Sequence, residues 1–330
     1  MQSIRLGTVG SSFIVHNLLD NFCRLPGFRL EAVYSRSHET GAALAARYGA
    51  EKVYTDLTQL LADPAVNCVY IASPNSLHYA HTKAALLAGK HVICEKPFCP
   101  TAAQAAELIS LAKEKYLFLV DATPTAYLPN LRILKEQLPK IGRVRAVMGN
   151  YSQYSSRYDR LLAGEITNVF DPNFAGGCLM DINYYNLYLN IVLFGKPRQA
   201  EYAPNLWKNG IDTSGCLTLR YDDFVSTNVG AKDTWGMNFF QIEGEQGYIY
   251  ISGGSNGLDT IRVVTKVTDE VFNSQPSPDR WSYEAEEITR LLLQDDTLFF
   301  QSLLETTQCV MEVLESARKQ AGIRFPCDKA

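Results

Sequence analysis

The sequence predicts an α/β protein in two parts: a doubly wound parallel sheet, then a domain built on a large, mainly antiparallel open sheet. Three observations predict it. Short apolar strands alternate with helical stretches from Ile4 to Asp121. From Gln199 onward, β-prone runs follow one another across short Gly/Asp turns. The length of 330 residues, 46% hydrophobic and 20% charged, supplies core for two domains. The boundary is placed at residue 121, giving domains 1–121 and 122–330.

Composition narrows the function. A net charge of -4, with no basic run interleaved with aromatics, argues against a nucleic-acid partner. The N-terminus runs straight into a strand, so no signal peptide is expected, and apolar stretches such as 187–194 are too short to span a bilayer. No membrane partner is expected. Eight cysteines stand singly, with no C-x-x-C and no zinc spacing, which fits reduced thiols in the cytoplasm and no metal site.

Ile4 to Val9 is the first strand, and a helix follows from about Phe13 to Arg24. Between them lies Gly10-Ser11-Ser12-Phe13, where a dinucleotide fold places G-x-G-x-x-G. Only the first glycine is present; Ser12 and Val15 take the places of the others. Serine still lets a phosphate approach the free N–H groups of the helix. The alternative is a plain strand-to-helix turn. The second strand, Phe28 to Tyr34, ends in Ser35-Arg36, where an NAD-selective fold carries an acid on the ribose. Hydroxyls and a guanidinium suit a 2′-phosphate, so NADP is expected, with NAD the alternative.

Helix 39–48, a short strand at 53–54, a helix capped by Asp56 and an apolar strand 67–72 come next. That strand ends in Ser73-Pro74-Asn75-Ser76-Leu77-His78, and the following helix stops at Gly89. His78 and His81 lack a third ligand, so His78 is expected near the cofactor and His81 on the helix surface. His91 to Cys94 is a buried strand followed at once by Glu95-Lys96-Pro97. In an open α/β sheet, ligands sit beyond the carboxyl ends of the strands, so Lys96 is a candidate catalytic cation. Its bland alternative is a surface ion pair. Thr101 caps an alanine-rich helix to about Tyr116, and 117–121 closes the sheet.

The second half opens with a helix at 130–138 and a strand at 144–154. The polar, aromatic stretch 151–171 suits either a sugar-like ligand or a solvated loop; Arg157, Tyr158 and Asp171 are its candidate substrate contacts. Strands are expected around 201–207, 216–221, 224–230, 239–243, 248–252 and 261–267, with helices on one face, and at least one long helix within 291–321. Before them, Gly176-Gly177 introduces an apolar periodic run to Gly195 that reads as a helix. Asp181 and Tyr185, four apart, share a helix face. A phenol near a lysine has its phenolate favoured, which makes Tyr plus Lys a workable acid/base unit. The alternative is a tyrosine-rich packing helix.

Taken together and in this order, Ala72-Ser73-Pro74-Asn75-Ser76-Leu77-His78, the run from Ala85 through Glu95-Lys96-Pro97, and Gly176-Gly177 with Leu179-Met180-Asp181 resemble the glucose–fructose oxidoreductase/inositol dehydrogenase (Gfo/Idh/MocA) family. The resemblance spans residues 4 to about 200. It implies a Rossmann domain, a C-terminal open sheet that mediates oligomers (a homodimer or homotetramer), and NAD(P)-dependent oxidation or reduction of sugars, cyclitols and related small molecules. It also implies that Lys96 is the catalytic lysine and Asp181 its acidic partner. Tyr185 stands where many members carry histidine, as in the subgroup of glucose–fructose oxidoreductase and dimeric dihydrodiol dehydrogenase. On this reading Gly10, Ser11, Ser12 and Phe13 hold the pyrophosphate, and Ser35 and Arg36 the 2′-phosphate. Ser73, Asn75, His78, Glu95, Lys96 and Pro97 border ribose and nicotinamide, while Tyr185 exchanges the hydroxyl proton. The rival readings are a catalytically silent NADP sensor and an interaction scaffold.

Overall fold

The computed structural model describes residues 2–329. The chain first lays down β1 (Ile4–Val9), α1 (Phe13–Phe22), β2 (Phe28–Tyr34), α2 (His38–Tyr48), β3 (Lys52–Tyr54), α3 (Leu57–Ala62), β4 (Cys68–Ile71), α4 (Asn75–Leu87), β5 (His91–Glu95), α5 (Ala102–Glu114) and β6 (Leu119–Ala122). The six strands form one parallel sheet in the order β3-β2-β1-β4-β5-β6. The order reverses between β1 and β4, and ligands of open α/β sheets bind at such a switch point. β4 is buried along its whole length, which is why it reads as a continuous apolar run. Thr101, Ser37 and Asp56 accept backbone N–H bonds at the starts of α5, α2 and α3, as their residue types predict.

The second sheet is built from β7 (Val144–Ser152), β8 (Gln199–Leu206), β9 (Asp212–Arg220), β10 (Val225–Ala231), β11 (Phe239–Gly244), β12 (Gly247–Ser252), β13 (Thr260–Thr265) and β14 (Asp269–Phe272). Its order is β14-β13-β12-β11-β7-β10-β9-β8, antiparallel throughout except that β7 and β10 run parallel. Three helices belong with it: α6 (Pro129–Gln137), α7 (Ser156–Leu162) and α8 (Tyr184–Phe194). β10 alternates exposed and buried residues. Its buried face meets α8, and the opposite face leaves Met148, Val225, Val229 and Tyr248 exposed. β14, whose acidic and exposed residues mask its alternation, is the strand that the sequence reading omits.

The C-terminal helical region is two helices, α9 (Arg280–Gln294) and α10 (Thr297–Gln320). Asp295, at φ 62° in the left-handed region, breaks them. The chain forms two compact units. One runs to Thr123 and also takes Asp279–Thr307; the other holds Pro124–Pro278 and the segment from Gln308 on. A single boundary at 121 therefore describes the first crossing only, since α9 and the start of α10 return to the first unit. There α9 packs on α1, Asn21 Nδ2 donates to the Asp279 carboxylate at 2.8 Å, and Trp281 meets Phe13 edge-on at 6.4 Å.

Gly10 closes β1 at φ 122°, and a Cβ there would stand 2.6 Å from the Ala72 carbonyl oxygen after β4. Both the backbone angle and the close approach need glycine. Gly10→Ala is expected to lower stability in urea denaturation by roughly 1–3 kcal/mol, the usual cost of forcing such a conformation.

Candidate active site

In the first unit the site residues gather on the loops after β1, β2, β4 and β5. These are parallel neighbours, so their carboxyl ends share one edge of the sheet. Ser12 stands at the N-cap of α1 in extended geometry, but its side chain makes no capping bond. Ser12 is exposed, Phe13 is 71% exposed and Ser11 is half-buried. First-turn N–H groups with no side-chain cap are a ready site for an anion. Ser35 is buried and its Oγ accepts from Ser37 N at 3.4 Å. Arg36 is exposed and, among the described residues, has no hydrogen-bond or ion-pair partner. A glycine that a side chain cannot replace, an uncapped helix start and an unpaired guanidinium together fit a phosphorylated dinucleotide.

Two loops are tied by His78. It is buried on α4, with Nδ1 2.9 Å from the Pro97 carbonyl and Nε2 2.8 Å from the Ser73 carbonyl. Burial holds this imidazole down at about 4. It is therefore neutral, donates to one carbonyl and turns a lone pair to the other. His78 holds the loops that carry Ser73 and Lys96 in place, instead of facing out towards a ligand. His81 is not free on the surface either, because its Nδ1 lies 3.0 Å from Ser73 Oγ. Asn75 begins α4, half-buried and directly after Pro74.

Glu95 ends β5 and is buried, while Lys96 after it is partly exposed and joined to Pro97 by a cis peptide. Tyr70 Oη on β4 donates to Glu95 Oε1 at 2.6 Å. Burial pushes the Glu95 carboxyl up to about 7; the Tyr70 bond and the Lys96 charge oppose this, and Asp121 adds to it. Asp121, fully buried on β6, accepts at 2.7 Å from Thr123 Oγ1 and from Thr307 Oγ1.

In the second unit the Gly176-Gly177 pair is a packing requirement. A Cβ on Gly176 would stand 2.5 Å from the Val169 carbonyl oxygen; Gly177, at φ 107°, has no room beside the Asp212 carboxylate. Asp212 is buried and accepts from Leu179 N at 2.6 Å and Tyr202 Oη at 2.7 Å, which fixes the start of the next turn. That turn, Leu179–Asn183, is a π-helix leading into α8. Asp181 therefore sits in a wider turn than the α-helix its spacing suggests, and π-turns favour functional sites. Asp181 Oδ2 forms an ion pair with Lys232 Nζ, and the lysine is almost wholly buried. Tyr185 is buried, its ring edge-on to Tyr151 at 5.7 Å.

Lys232 is the residue that sequence reasoning misses. It follows β10 within Ala231-Lys232-Asp233, where nothing but a lone charge after an apolar strand marks it. The asparagines behind it are also missed. Asn183 Nδ2 donates to Asn228 O, Asn186 Nδ2 to Val229 O, and Asn190 Nδ2 to Asn228 Oδ1, all buried at 3.0–3.1 Å. The stretch 151–171 turns out to contain α7 and a short 3₁₀ turn. Arg157 is exposed on α7, Tyr158 packs against Phe170 and Trp207, and Asp171 caps a turn by accepting from Asn173 N at 2.9 Å.

Comparison with known proteins follows the same outline. The Gfo/Idh/MocA oxidoreductase profile, described as an NAD-binding Rossmann fold, matches residues 4–121. The chain is 36% identical over 334 residues to scyllo-inositol 2-dehydrogenase (NADP(+)) of Bacillus subtilis, covering 99% of this chain and 100% of that protein. It is 28% identical to D-xylose 1-dehydrogenase (NADP(+)) of Hypocrea jecorina, over 83% of this chain and 78% of the other. Among solved structures, the 3-ketoreductase KijD10 of Actinomadura kijaniata, in complex with NADP and TDP-benzene, superposes with a TM-score of 0.85 at 20% identity, covering 96% of this chain and 98% of that one. At that identity the likeness is one of fold.

The His78 geometry carries a pH prediction. A neutral imidazole preferred in the fold adds stability that is complete above its ordinary value of 6.5 and is lost as pH falls through about 4. In urea denaturation, the margin of wild type over His78→Asn is expected to shrink by about 3 kcal/mol on going from pH 7 to below pH 4.

Proposed function

The chain belongs to the Gfo/Idh/MocA family of oxidoreductases, and on that premise we propose that it is an NADP-dependent dehydrogenase or reductase acting on a hydroxyl-bearing carbon, or the matching carbonyl, of a cyclitol, sugar or similar polyol. The first unit binds the dinucleotide and the second the substrate. Gly10, Ser11, Ser12 and Phe13 present the uncapped start of α1 to the pyrophosphate, and Ser35 and Arg36 receive the 2′-phosphate. Ser73, Asn75, Glu95, Lys96 and Pro97 border the remainder, with His78 holding two of their loops. Bound there, the dinucleotide supplies the carbon that accepts or gives up a hydride.

The protein's own residues manage position and the proton. Tyr185 exchanges the substrate hydroxyl proton at its phenol oxygen, and Lys96 supplies a fixed positive charge on the dinucleotide-binding unit. Asp181, paired with Lys232, orients a substrate hydroxyl. Arg157, Tyr158 and Asp171 are assigned to the substrate side with less geometric support, since Tyr158 is packed and Asp171 already caps a turn. The reading rests on Lys96: an ammonium placed directly after a buried carboxyl, on the sheet edge that also carries the phosphate-type loop. An inert sensor or scaffold has no need of that arrangement.

The exposed face of the eight-stranded sheet, with Met148, Val225, Val229 and Tyr248, is the surface through which we expect a homodimer or homotetramer to form. All eight cysteines are free, which fits a reducing cytoplasm, and no described helix is long and apolar enough to cross a membrane.

Turnover of scyllo-inositol and a panel of sugars with NADP(+) tests the reading. Lys96→Ala and Tyr185→Phe are each expected to lower kcat by roughly 10²-fold or more, the scale of general acid/base groups; near-normal rates in both would remove the assignment. NADPH at about 100 times its dissociation constant should stabilise the protein by roughly 2.7 kcal/mol in a melting curve. Arg36→Ala should weaken NADPH binding and leave NADH binding nearly unchanged. An equal loss for both cofactors would mean that the arginine does not read the 2′-phosphate.

A further inference from the structure

Behind Glu95 in the first unit lies a carboxyl that the proposed mechanism does not use. Glu284, on α9, is 0% exposed, and neither of its oxygens has a hydrogen-bond partner among the described residues. A buried ionised carboxylate with no bonds is far too costly to persist unless it is paired or neutralised. The groups within its electrostatic reach are Glu95 and Lys96 at the end of β5, Asp121 on β6, Tyr70 on β4 and Arg280 one turn earlier on α9. Two of these are carboxyls, and Glu95 itself is buried with a single side-chain bond, from Tyr70. Glu95 and Glu284 cannot both be charged at low cost in such a place.

We propose that Glu284 is a positioning residue for Lys96: it stays protonated as the neutral member of its pair with Glu95, so that of these two buried carboxyls only one can carry charge beside the lysine. Burial, and then the charges of Glu95 and Asp121, hold the Glu284 carboxyl well above the usual carboxylate range, against the opposing Arg280 and Lys96. The pair titrates as one unit. At neutral pH one proton is present. As pH rises, that proton leaves, and a second negative charge appears in the apolar interior next to Lys96. The inference rests on Lys96 being the catalytic cation, and its first two readouts do not depend on activity.

Glu284→Gln fixes the neutral form at nearly constant shape. In infrared difference spectra of wild type against Glu284→Gln at pH 7, a carbonyl stretch of a protonated carboxylic acid is expected in the wild type only. A carboxyl whose value is raised in the fold gives stability that is complete below the ordinary carboxylate value and is lost as pH climbs towards the raised one. The melting temperature of Glu284→Gln relative to wild type should therefore rise steadily from pH 5 to pH 9. No band lost, together with a melting difference that stays constant across pH, would overturn the proposal. In kinetics, Glu284→Gln should move the alkaline limb of kcat/KM upward. The double variant Glu95→Gln/Glu284→Gln, which leaves no carboxylate in the pair, should lose roughly tenfold, one pKa unit of charge interaction. If the infrared and melting results hold while Lys96→Ala retains turnover, the protonated Glu284 stands and the catalytic reading of Lys96 falls.

Discussion

A neutral imidazole between two carbonyls is the interaction on which the first half-site depends. A parallel sheet delivers its strand ends to one edge but does not fix the loops that follow them. Here His78 spans the Ser73 and Pro97 carbonyls from the first turn of α4. Two loops that are 19 residues apart in sequence at the His78–Pro97 bond become one surface. Lys96 lies between Glu95, locked by Tyr70, and Pro97, locked by His78. The backbone that carries this ammonium on its flexible four-carbon stem is thereby held on both sides.

The second half-site achieves rigidity by a different route. Asp212 spends its carboxylate on Leu179 N and Tyr202 Oη, and it crowds Gly177 so closely that no side chain fits. The chain then enters a π-turn, and Asp181 leaves it paired with Lys232. Behind that turn Asn183, Asn186 and Asn190 bind α8 to β10 through buried amides. Asn190 Oδ1 has no hydrogen-bond partner among the described residues, and the bonds that are made select one arrangement over its neighbours. A shift of α8 by one residue would break several of these bonds at once, so the network sets the rotation of the helix that carries Tyr185.

How much of this was legible follows from the range of each interaction. β1 and β2 were readable to the residue because their apolar runs end at Gly10 and Ser35. Lys96, Asp181 and Tyr185 were singled out from local spacing and motif order, and the fold sets Lys96 after β5, Asp181 in the π-turn and Tyr185 at the start of α8. Lys232 was not, because its meaning depends on an ion pair across 51 residues of chain. His78 was read as a cofactor neighbour; its place between the Ser73 and Pro97 carbonyls, which only tertiary contacts reveal, also makes it a strut. The π-turn was invisible because Leu179–Asn183 has the same residue types as an ordinary helical turn. α9 escaped for a related reason: its start is capped by Asp279 after a polar run that reads as loop.

That last omission has a physical consequence for how the cofactor-type unit is completed. Its sheet is finished at β6, yet the unit also takes a helix from more than 150 residues later. α9 covers α1 with an apolar stripe that includes Ala285, Ile288 and Leu292, all without exposure. It sets Trp281 against Phe13 at the phosphate-type loop and Arg280 over the Trp281 ring at 4.7 Å. On the same helix the buried Glu284 carboxyl lies within electrostatic reach of Glu95 and Asp121. Both ends of the candidate cofactor edge, the loop after β1 and the lysine after β5, thus have a neighbour on one late helix. A substitution in α9 that touches neither loop would change the packing of the first and the charge environment of the second. The helix is accordingly part of the site's electrostatics as much as of its core.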